Sequence, residues 1–200
     1  RSVISQTFGL KSTVIETPVP IDKITADVNT REYITLINPR HELKGSEIFL
    51  DLAARLDDEE FLVAGEFASD HEQSISESLD NVRVLGWVDD MREVYSKTKI
   101  LMIPSIYEEG GPRIIPEAFA NGIPVVGSNR GAIPEFIGEA GLTVDNIHNI
   151  DSWKRAINKI EENYQKYEGY ARARASEFDS IDQIDELESV LNTLVYNYVN

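Results

Sequence analysis

The stretch ILMIPSIYEEGGPRIIPEAFANGIPVV, residues 100–126, decides the fold. It begins with a short apolar run and passes through a loop that contains two glycines and a proline. A segment of helical character follows, and a second apolar run lies at 124–126. Pro112 suits the first position of a helix, because that position needs no N–H donor. The stretch therefore predicts a strand, a loop, a helix and a second strand in succession.

Similar units extend outward from this stretch in both directions. Apolar runs lie at 33–37, 61–64, 82–85, 100–103, 124–126 and 142–144, and their length is typical of strands buried on both faces of a parallel sheet. Two segments carry an apolar helical face, one formed by Ile48, Phe49, Leu52, Ala53 and Leu56 and the other by Trp153, Ala156, Ile157, Ile160 and Tyr164. This alternation predicts a Rossmann-like three-layer α/β/α domain with a parallel sheet and a ligand site at the carboxyl ends of its strands.

The two ends of the chain depart from this pattern. Residues 11–17 could form one further strand, and the turn Pro18-Val19-Pro20 follows it. At the other end an apolar stripe predicts an amphipathic helix that packs on this domain or on a partner domain. The stripe consists of Ile181, Ile184, Leu187, Leu191, Leu194 and Tyr198.

Composition limits the location and the partners. Nineteen basic and 35 acidic residues give a net charge of −16, which repels nucleic-acid backbones and anionic lipid headgroups, so we expect no nucleic-acid partner. The absence of cysteine excludes disulfides and thiolate metal sites and fits a cytoplasmic protein. The three histidines have no metal-ligand spacing. No apolar run approaches the ~20 residues of a membrane span, and no secretory signal is present.

The loop and helix start at residues 104–117 contain the candidate site. Gly110 and Gly111 allow a ligand to approach the backbone closely. Free N–H groups of Gly111, Arg113 and Ile114 would then point at an anion, helped by the positive end of the helix dipole. This arrangement predicts a phosphate site at the start of the helix.

Two carboxylates accompany the predicted phosphate site. Glu109 comes just before the helix and Glu117 lies about one turn inside it. Carboxylates accept hydrogen bonds from vicinal hydroxyls, and a nucleotide sugar has hydroxyls on both sides of its diphosphate. One glutamate would hold the sugar and the other the ribose. The alternative is that both are surface glutamates that stabilise the helix N-terminus.

Glu109 and Glu117 are separated by seven residues. This spacing resembles the E-x7-E motif of retaining GT-B glycosyltransferases, specifically family 4. Glu108 is excluded as the first glutamate, because only Glu109 gives that gap. Residues 117–128, EAFANGIPVVGS, resemble the EA-x-A-x-G-x-P-V-V run of the family, and residues 131–135, GAIPE, resemble its GG-x-x-E segment. The motifs keep their order and spacing over residues 33–145.

The resemblance also implies roles for residues outside the helix start. Residues 38–45, NPRHELKG, resemble the G-R…K-G element, in which Arg40 and Lys44 would neutralise the diphosphate; the alternative is that both pair with surface acids. Arg83 and Val88 lie where members of the family contact the nucleobase. Trp87 could stack on the base, although a partly buried core position is the favoured interpretation.

The implied activity is that of a hexosyltransferase-type enzyme that transfers a sugar with retention from a UDP- or GDP-sugar, without a metal or another cofactor. Glu109, Arg40 and Lys44 would act on the sugar and the leaving diphosphate, and Glu117 on the ribose. The acceptor would be a carbohydrate or a lipid-linked carbohydrate, bound largely by the protein's own N-terminal GT-B domain. Residues 1–30 would be a linker and a remnant of that domain, 31–180 the nucleotide-sugar-binding domain and 181–200 the C-terminal helix. Without the N-terminal domain this chain would be inactive, and the whole protein could lie at the membrane periphery.

Two other functions remain open from the sequence. The first is a non-catalytic module that binds a nucleotide sugar without turnover. The second is a GT-B-fold nucleotide-sugar epimerase, against which the pair Glu109 and Glu117 argues.

Overall fold

The computed structural model describes residues 6–10, 18–27 and 30–199, and a six-stranded parallel sheet forms its centre. The strands are β1 (Tyr33–Ile37), β2 (Glu60–Ala64), β3 (Val82–Val84), β4 (Thr98–Ile103), β5 (Val125–Ser128) and β6 (Gly141–Val144). Their order in the sheet is β3-β2-β1-β4-β5-β6, and each neighbouring pair is parallel. The predicted parallel sheet is confirmed, and each of the six apolar runs overlaps one strand. The strand proposed at 11–17 lies outside the described residues.

Helices cover both faces of this sheet. They are α1 (Ile21–Ile24), α2 (Ser46–Ala53), α3 (Asp70–Glu77), α4 (Arg92–Tyr95), α5 (Ile114–Ala120), α6 (Ile133–Ile137), α7 (Ile150–Glu162), α8 (Tyr164–Ala175) and α9 (Ser180–Val199). Short 3₁₀ turns lie at Glu42–Lys44 and Ser176–Phe178. One apolar core joins α2 and α7 to one face of the sheet, and a second joins α4, α5, α6 and α8 to the other. The three-layer α/β/α architecture is confirmed.

The predicted helical faces form much of the first core. The aromatic rings of Phe49 and Phe61 meet edge to face with their centroids 5.2 Å apart. Trp153 is fully buried, and its Nε1 donates to the carbonyl oxygen of Ile147 at 2.8 Å. Burial of these large apolar side chains stabilises the fold.

The two outer strands differ from the expectation that every strand is buried on both faces. Arg83 on β3 and Thr143 on β6 are exposed. Both strands lie at an edge of the sheet, where the layers above and below cover only part of each face. The expectation is therefore wrong for β3 and β6, although their apolar runs predicted the strands themselves.

The segment before β1 packs on the domain. Val19 is fully buried, and its N–H donates to the carbonyl oxygen of Phe178 at 3.2 Å. The side chain of Asn121 accepts from the N–H of Ala26 at 2.8 Å and donates to the carbonyl oxygen of Ile24 at 3.2 Å. The end of α5 is thereby tied to residues 24–26.

The predicted C-terminal helix is present as α9. Four members of its apolar stripe are between 42% and 60% exposed, namely Ile184, Leu187, Leu191 and Leu194. The interpretation in which the stripe packs on this domain is wrong for these four side chains. Packing of the stripe on a partner domain stays a prediction.

The strand order creates a crevice at the carboxyl ends of β1 and β4. From β1 the chain continues to β2 on one side, whereas β4 begins the other half of the sheet. Loops that leave two such strands in opposite directions open a ligand crevice between them. The loops after β1 and β4 contain Lys44 and Glu109.

Candidate functional site

The turn after β1 holds Lys44 against the loop that follows β4. This turn ends at Gly45, whose φ of 75° lies in the left-handed region. A Cβ atom at Gly45 would lie closer than 3.0 Å to the carbonyl oxygen of Pro104, so glycine is required for this approach. The N–H of Ile106 donates to the carbonyl oxygen of Leu43 at 2.8 Å and joins the two loops.

Glu109 is the centre of a partly buried polar group that we call the Glu109 cluster, formed by Lys44, Ser105, Tyr107 and Glu109. Its Oε1 accepts from Lys44 Nζ at 2.8 Å and from Ser105 Oγ at 2.7 Å. Its Oε2 accepts from Tyr107 Oη at 2.6 Å. Lys44 Nζ also lies 5.2 Å from the centroid of the Tyr107 ring. Glu109 itself is only 7% exposed, so its charge is compensated inside the protein.

The cluster shifts the pKa values of both charged partners. Burial alone would raise the pKa of Glu109, but the hydrogen bonds from Lys44, Tyr107 and Ser105 outweigh it and the pKa lies below its ordinary value. Burial would likewise lower the pKa of Lys44, but its hydrogen bonds with Glu109 and Tyr107 outweigh burial and the pKa is raised. Both groups are therefore charged at neutral pH.

This pair predicts a defined pH dependence of stability. Because the pKa of Glu109 is depressed in the folded state, its contribution is present above the ordinary value of 4.5 and is lost as the pH falls through the folded pKa. Because the pKa of Lys44 is raised, its contribution is present below 10.5 and is lost as the pH rises through the folded pKa. We expect the difference in unfolding free energy between the wild type and Lys44→Met to be largest between these limits. Urea denaturation over a pH series measures it, and a difference that is unchanged in acid would contradict the prediction.

The loop after β5 supports Glu109 from another direction. Gly131 has a φ of 54°, and a Cβ atom there would lie closer than 3.0 Å to both backbone O and N of Glu109. The N–H of Ala132 donates to the carbonyl oxygen of Glu109 at 2.7 Å. The N–H of Gly131 donates to the carboxylate of Glu108, which is exposed. Of the two adjacent glutamates, Glu109 is thus the buried partner of Lys44.

Glu117 forms part of the wall of a cavity of about 340 Å³. It is 8% exposed, its Oε2 accepts from Tyr95 Oη at 2.7 Å, and its Oε1 lies 2.8 Å from Arg113 Nε. The apolar side of the cavity is formed by Ile37, Ala64, Val88, Met91 and Ile114. Ile37 and Ile114 also line the crevice that contains Lys44 and Glu109. The cavity and the Glu109 cluster are therefore neighbours, and the burial of both glutamates contradicts the interpretation that they are surface residues.

The start of α5 differs slightly from the prediction. The helix begins at Ile114, two residues after Pro112, which was expected in its first position. The carbonyl oxygen of Pro112 accepts from the N–H of Ile115 at 2.9 Å, so Pro112 supplies the first acceptor of the helical turn rather than its first helical residue. Among the described residues, the N–H groups of Gly111, Arg113 and Ile114 have no hydrogen-bond acceptor, so they can donate to a bound anion. Gly110 is exposed, with open space where a Cβ atom would lie.

Of the residues predicted to lie near the nucleobase, two line the cavity and one does not. Val88 and Trp87 line the cavity. Trp87 is 77% exposed and its Nε1 donates to Asp89 Oδ1 at 2.9 Å, so the favoured core interpretation is wrong. The reason is its place in the turn after edge strand β3, which no other layer covers. Arg83 is exposed on β3, and the structure does not bring it to the cavity.

Arg40 also lies apart from Lys44. Its side chain is 73% exposed and lies 3.8 Å from Glu66. The surface-pairing alternative therefore describes Arg40 in this arrangement, whereas Lys44 pairs with the buried Glu109. The diphosphate role of Arg40 stays a prediction.

Sequence reasoning missed the residues that support the two glutamates. Ser105 and Tyr107 lie within four positions of Glu109, and a search for hydroxyl donors beside it would have found them. Tyr95 is 22 positions before Glu117 and Gly131 is 22 positions after Glu109, so no local pattern connects them. Only the packing of distant loops brings these residues to the site.

The described residues contain neither a candidate metal site nor a helix that could span a membrane. Nowhere in the described ranges do three His, Asp or Glu side chains come together in a way that could hold a metal ion. In the same part of the chain, the helices are too short or too polar to cross a membrane.

Comparison with known proteins shows that this chain is similar to glycosyltransferases. A stretch of 66 residues is 41% identical to the O-antigen chain mannosyltransferase B of Escherichia coli and covers 32% of this chain and 17% of that protein. The fold resembles the solved glycosyltransferase from Rickettsia africae ESF-5, with a TM-score of 0.84, 16% identity and coverage of 98% of this chain and 61% of that one. It also resembles Anabaena HepE in complex with UDP, with a TM-score of 0.78, 20% identity and coverage of 90% and 57%.

The share of each related protein that this chain spans can be compared with the expected half of a GT-B fold. The chain spans less than two thirds of each of these proteins, and the likeness to glycosyltransferase structures confirms the expected half of a GT-B fold. The family model of Glycosyl transferases group 1 matches residues 33–163, which contain the Glu109 cluster, the cavity and all six strands. Since that match covers more than half of the chain, the protein belongs to the family of Glycosyl transferases group 1.

Proposed function

We propose that this chain is the donor-binding domain of a retaining glycosyltransferase that uses a UDP- or GDP-sugar. The observation that supports the proposal best is the pair of buried carboxylates, Glu109 and Glu117, on either side of the start of α5. Glu117 lines the cavity of about 340 Å³, and Glu109 lines a narrow gap of about 10 Å³ that shares Ile37 and Ile114 as walls. A ligand with hydroxyls at both ends and a diphosphate between them matches this arrangement.

Each part of the donor has a proposed binding group. Glu109 accepts from a hydroxyl of the sugar at the one acceptor site that Lys44, Ser105 and Tyr107 leave open. Glu117 accepts from the ribose. Lys44 and the N–H groups of Arg113 and Ile114 hold the diphosphate, with Arg40 joining them when the donor is bound. The nucleobase lies in the apolar cavity beside Val88 and Trp87.

The reaction follows from these positions. The acceptor hydroxyl oxygen bonds to the anomeric carbon on the face that the diphosphate leaves, the bond from that carbon to the phosphate oxygen breaks, and the leaving phosphate oxygen takes the hydroxyl proton. Negative charge grows on the diphosphate as the bond breaks, and the fixed positive charge of Lys44 stabilises it. No metal takes part in this proposal.

The acceptor is proposed to be a carbohydrate or a lipid-linked carbohydrate, bound largely by the protein's own N-terminal domain. The exposed stripe of α9 supports contact with such a domain, since apolar side chains at this spacing normally pack on another element. The chain alone therefore binds donor and transfers nothing. In the whole protein the enzyme is cytoplasmic and can lie at the membrane periphery.

Calorimetry of the chain with UDP, GDP and ADP and with UDP-glucose, GDP-mannose and ADP-glucose tests the proposal. We expect one nucleotide series to bind at micromolar to millimolar concentration. If none binds at millimolar concentration, the donor-binding function is wrong. Transfer by a polypeptide that also carries the N-terminal domain separates an enzyme from a non-catalytic module, which would bind without turnover.

Trp87 provides an optical test of the nucleobase position. It is one of two tryptophans, and the other, Trp153, is fully buried. We expect nucleotide binding to change the fluorescence of Trp87 because the base stacks on its exposed indole. Trp87→Ala should weaken binding about three- to tenfold, the size expected for one aromatic stacking contact. A fluorescence change that persists in Trp87→Phe would contradict this position.

A further inference from the structure

The hydroxyl of Tyr95 limits how the carboxylate of Glu117 can orient. Tyr95 is fully buried in the core under α5, and its hydroxyl lies 2.7 Å from Oε2 of Glu117. On the other oxygen, Arg113 Nε lies 2.8 Å from Oε1. The carboxylate is thus held at both oxygens by groups of the protein.

The tyrosine can act only as a donor in this contact. Burial and the neighbouring charge of Glu117 raise the pKa of Tyr95 well above 10.0, so its hydroxyl keeps the proton throughout the physiological range. The phenol cannot turn toward solvent, because its whole side chain is enclosed. The oxygen that receives this hydrogen bond is therefore fixed.

Counting acceptor sites shows what remains for a ligand. A carboxylate has about four lone-pair sites, two on each oxygen. Tyr95 occupies one site on Oε2, and Arg113 forms an ion pair with Oε1. At least one site stays open on each oxygen, and the side chain forms part of the cavity wall. Two adjacent acceptors of this kind match two vicinal hydroxyls.

We propose that Tyr95 is a positioning residue that orients Glu117 for bidentate binding of the ribose diol and so makes the site selective for ribonucleotides over 2′-deoxyribonucleotides. This inference rests on the proposed donor-binding function and deepens it. Tyr95 does not touch the nucleotide and acts through Glu117. Its hydroxyl affects the ribose contact and leaves the diphosphate contact unchanged.

Calorimetry with UDP, GDP and their 2′-deoxy forms tests the inference. The wild type should bind the ribo form at least tenfold more tightly, since a hydrogen bond to a charged group is lost with the 2′-hydroxyl. Tyr95→Phe fills the same space without the hydroxyl and should reduce that preference to about threefold or less. Tyr164→Phe is the matched control, because Tyr164 donates to the backbone oxygen of Lys99 and lines neither the cavity nor the Glu109 cluster. It should keep the full preference.

A second comparison, in a Glu117→Gln background, separates an effect that passes through Glu117 from a general effect of Tyr95→Phe on folding. In a Glu117→Gln background the ribose preference should already be small, and adding Tyr95→Phe should change it by less than twofold. A full ribose preference in Tyr95→Phe overturns the positioning role, and so does an equal effect of removing the Tyr95 hydroxyl in the wild type and in the Glu117→Gln background. Both outcomes leave nucleotide binding itself intact. No preference in the wild type, despite binding, overturns the ribose contact as well. Failure of every nucleotide to bind overturns the proposed function itself.

Discussion

The Gly131→Ala variant is expected to lose about 2–4 kcal/mol of unfolding free energy and to bind UDP-glucose much more weakly than the wild type. Gly131 has a φ of 54°, which costs an L-residue energy even where space is available. Here the added Cβ atom would also overlap the backbone of Glu109, which cannot move as a flexible side chain would. The strand-to-helix loop must therefore shift, and the Glu109 cluster shifts with it.

Gly110→Ala is the matched control for this variant. A Cβ atom at Gly110 meets no atom within 4 Å. We expect its unfolding free energy to stay within about 0.5 kcal/mol of the wild type, as for most surface substitutions. Urea denaturation and calorimetry measure both variants. Equal stability of Gly131→Ala and Gly110→Ala would show that the loop after β5 does not hold Glu109 as described.

The second large effect is expected for Lys44→Ala. Loss of this charge should weaken the binding of the nucleoside diphosphate by about 1.5–3 kcal/mol, the value of a hydrogen bond to a charged group. The corresponding nucleoside carries no phosphate, so its affinity should be unchanged. Calorimetry with UDP and uridine, or GDP and guanosine, measures the two losses separately.

One lysine variant and one arginine variant serve as comparisons for Lys44→Ala. Lys154→Ala removes the same charge from the exposed surface of α7 and should leave diphosphate binding intact. Arg40→Ala should cause a smaller loss than Lys44→Ala, because Arg40 pairs with Glu66 and lines neither the cavity nor the Glu109 cluster. Equal losses for UDP and uridine in Lys44→Ala would indicate a general structural defect and contradict the diphosphate role.

Much of the fold could be predicted because its elements are local in sequence. The apolar runs identify the strands, since strands buried in a parallel sheet have near-continuous apolar sequences. The same apolar runs led to the wrong expectation that the edge strands β3 and β6 are buried on both faces. The runs at β3 and β6 are apolar enough to be strands, yet nothing in them indicates that a neighbour is missing on one side.

Trp87 shows the same limit at the site. Its large apolar side chain favours burial on average. In the fold it follows Gly86 in a turn beyond the edge of the sheet, and it is exposed there beside the cavity. Residue type predicts the average environment, whereas the position of a turn relative to the layers decides the actual one.

The sequence by itself determined the parallel α/β architecture, the spacing of Glu109 and Glu117 and the glycine-containing start of α5. Each run or motif behind these properties lies within a short stretch of the chain, so its pattern can be read directly. Only the tertiary structure decided that Lys44 pairs with Glu109, that Tyr95 holds Glu117 and that Gly131 lies against the backbone of Glu109. Each of these contacts joins loops or helices separated by 22 to 65 positions, and the order of strands in the sheet brings them together.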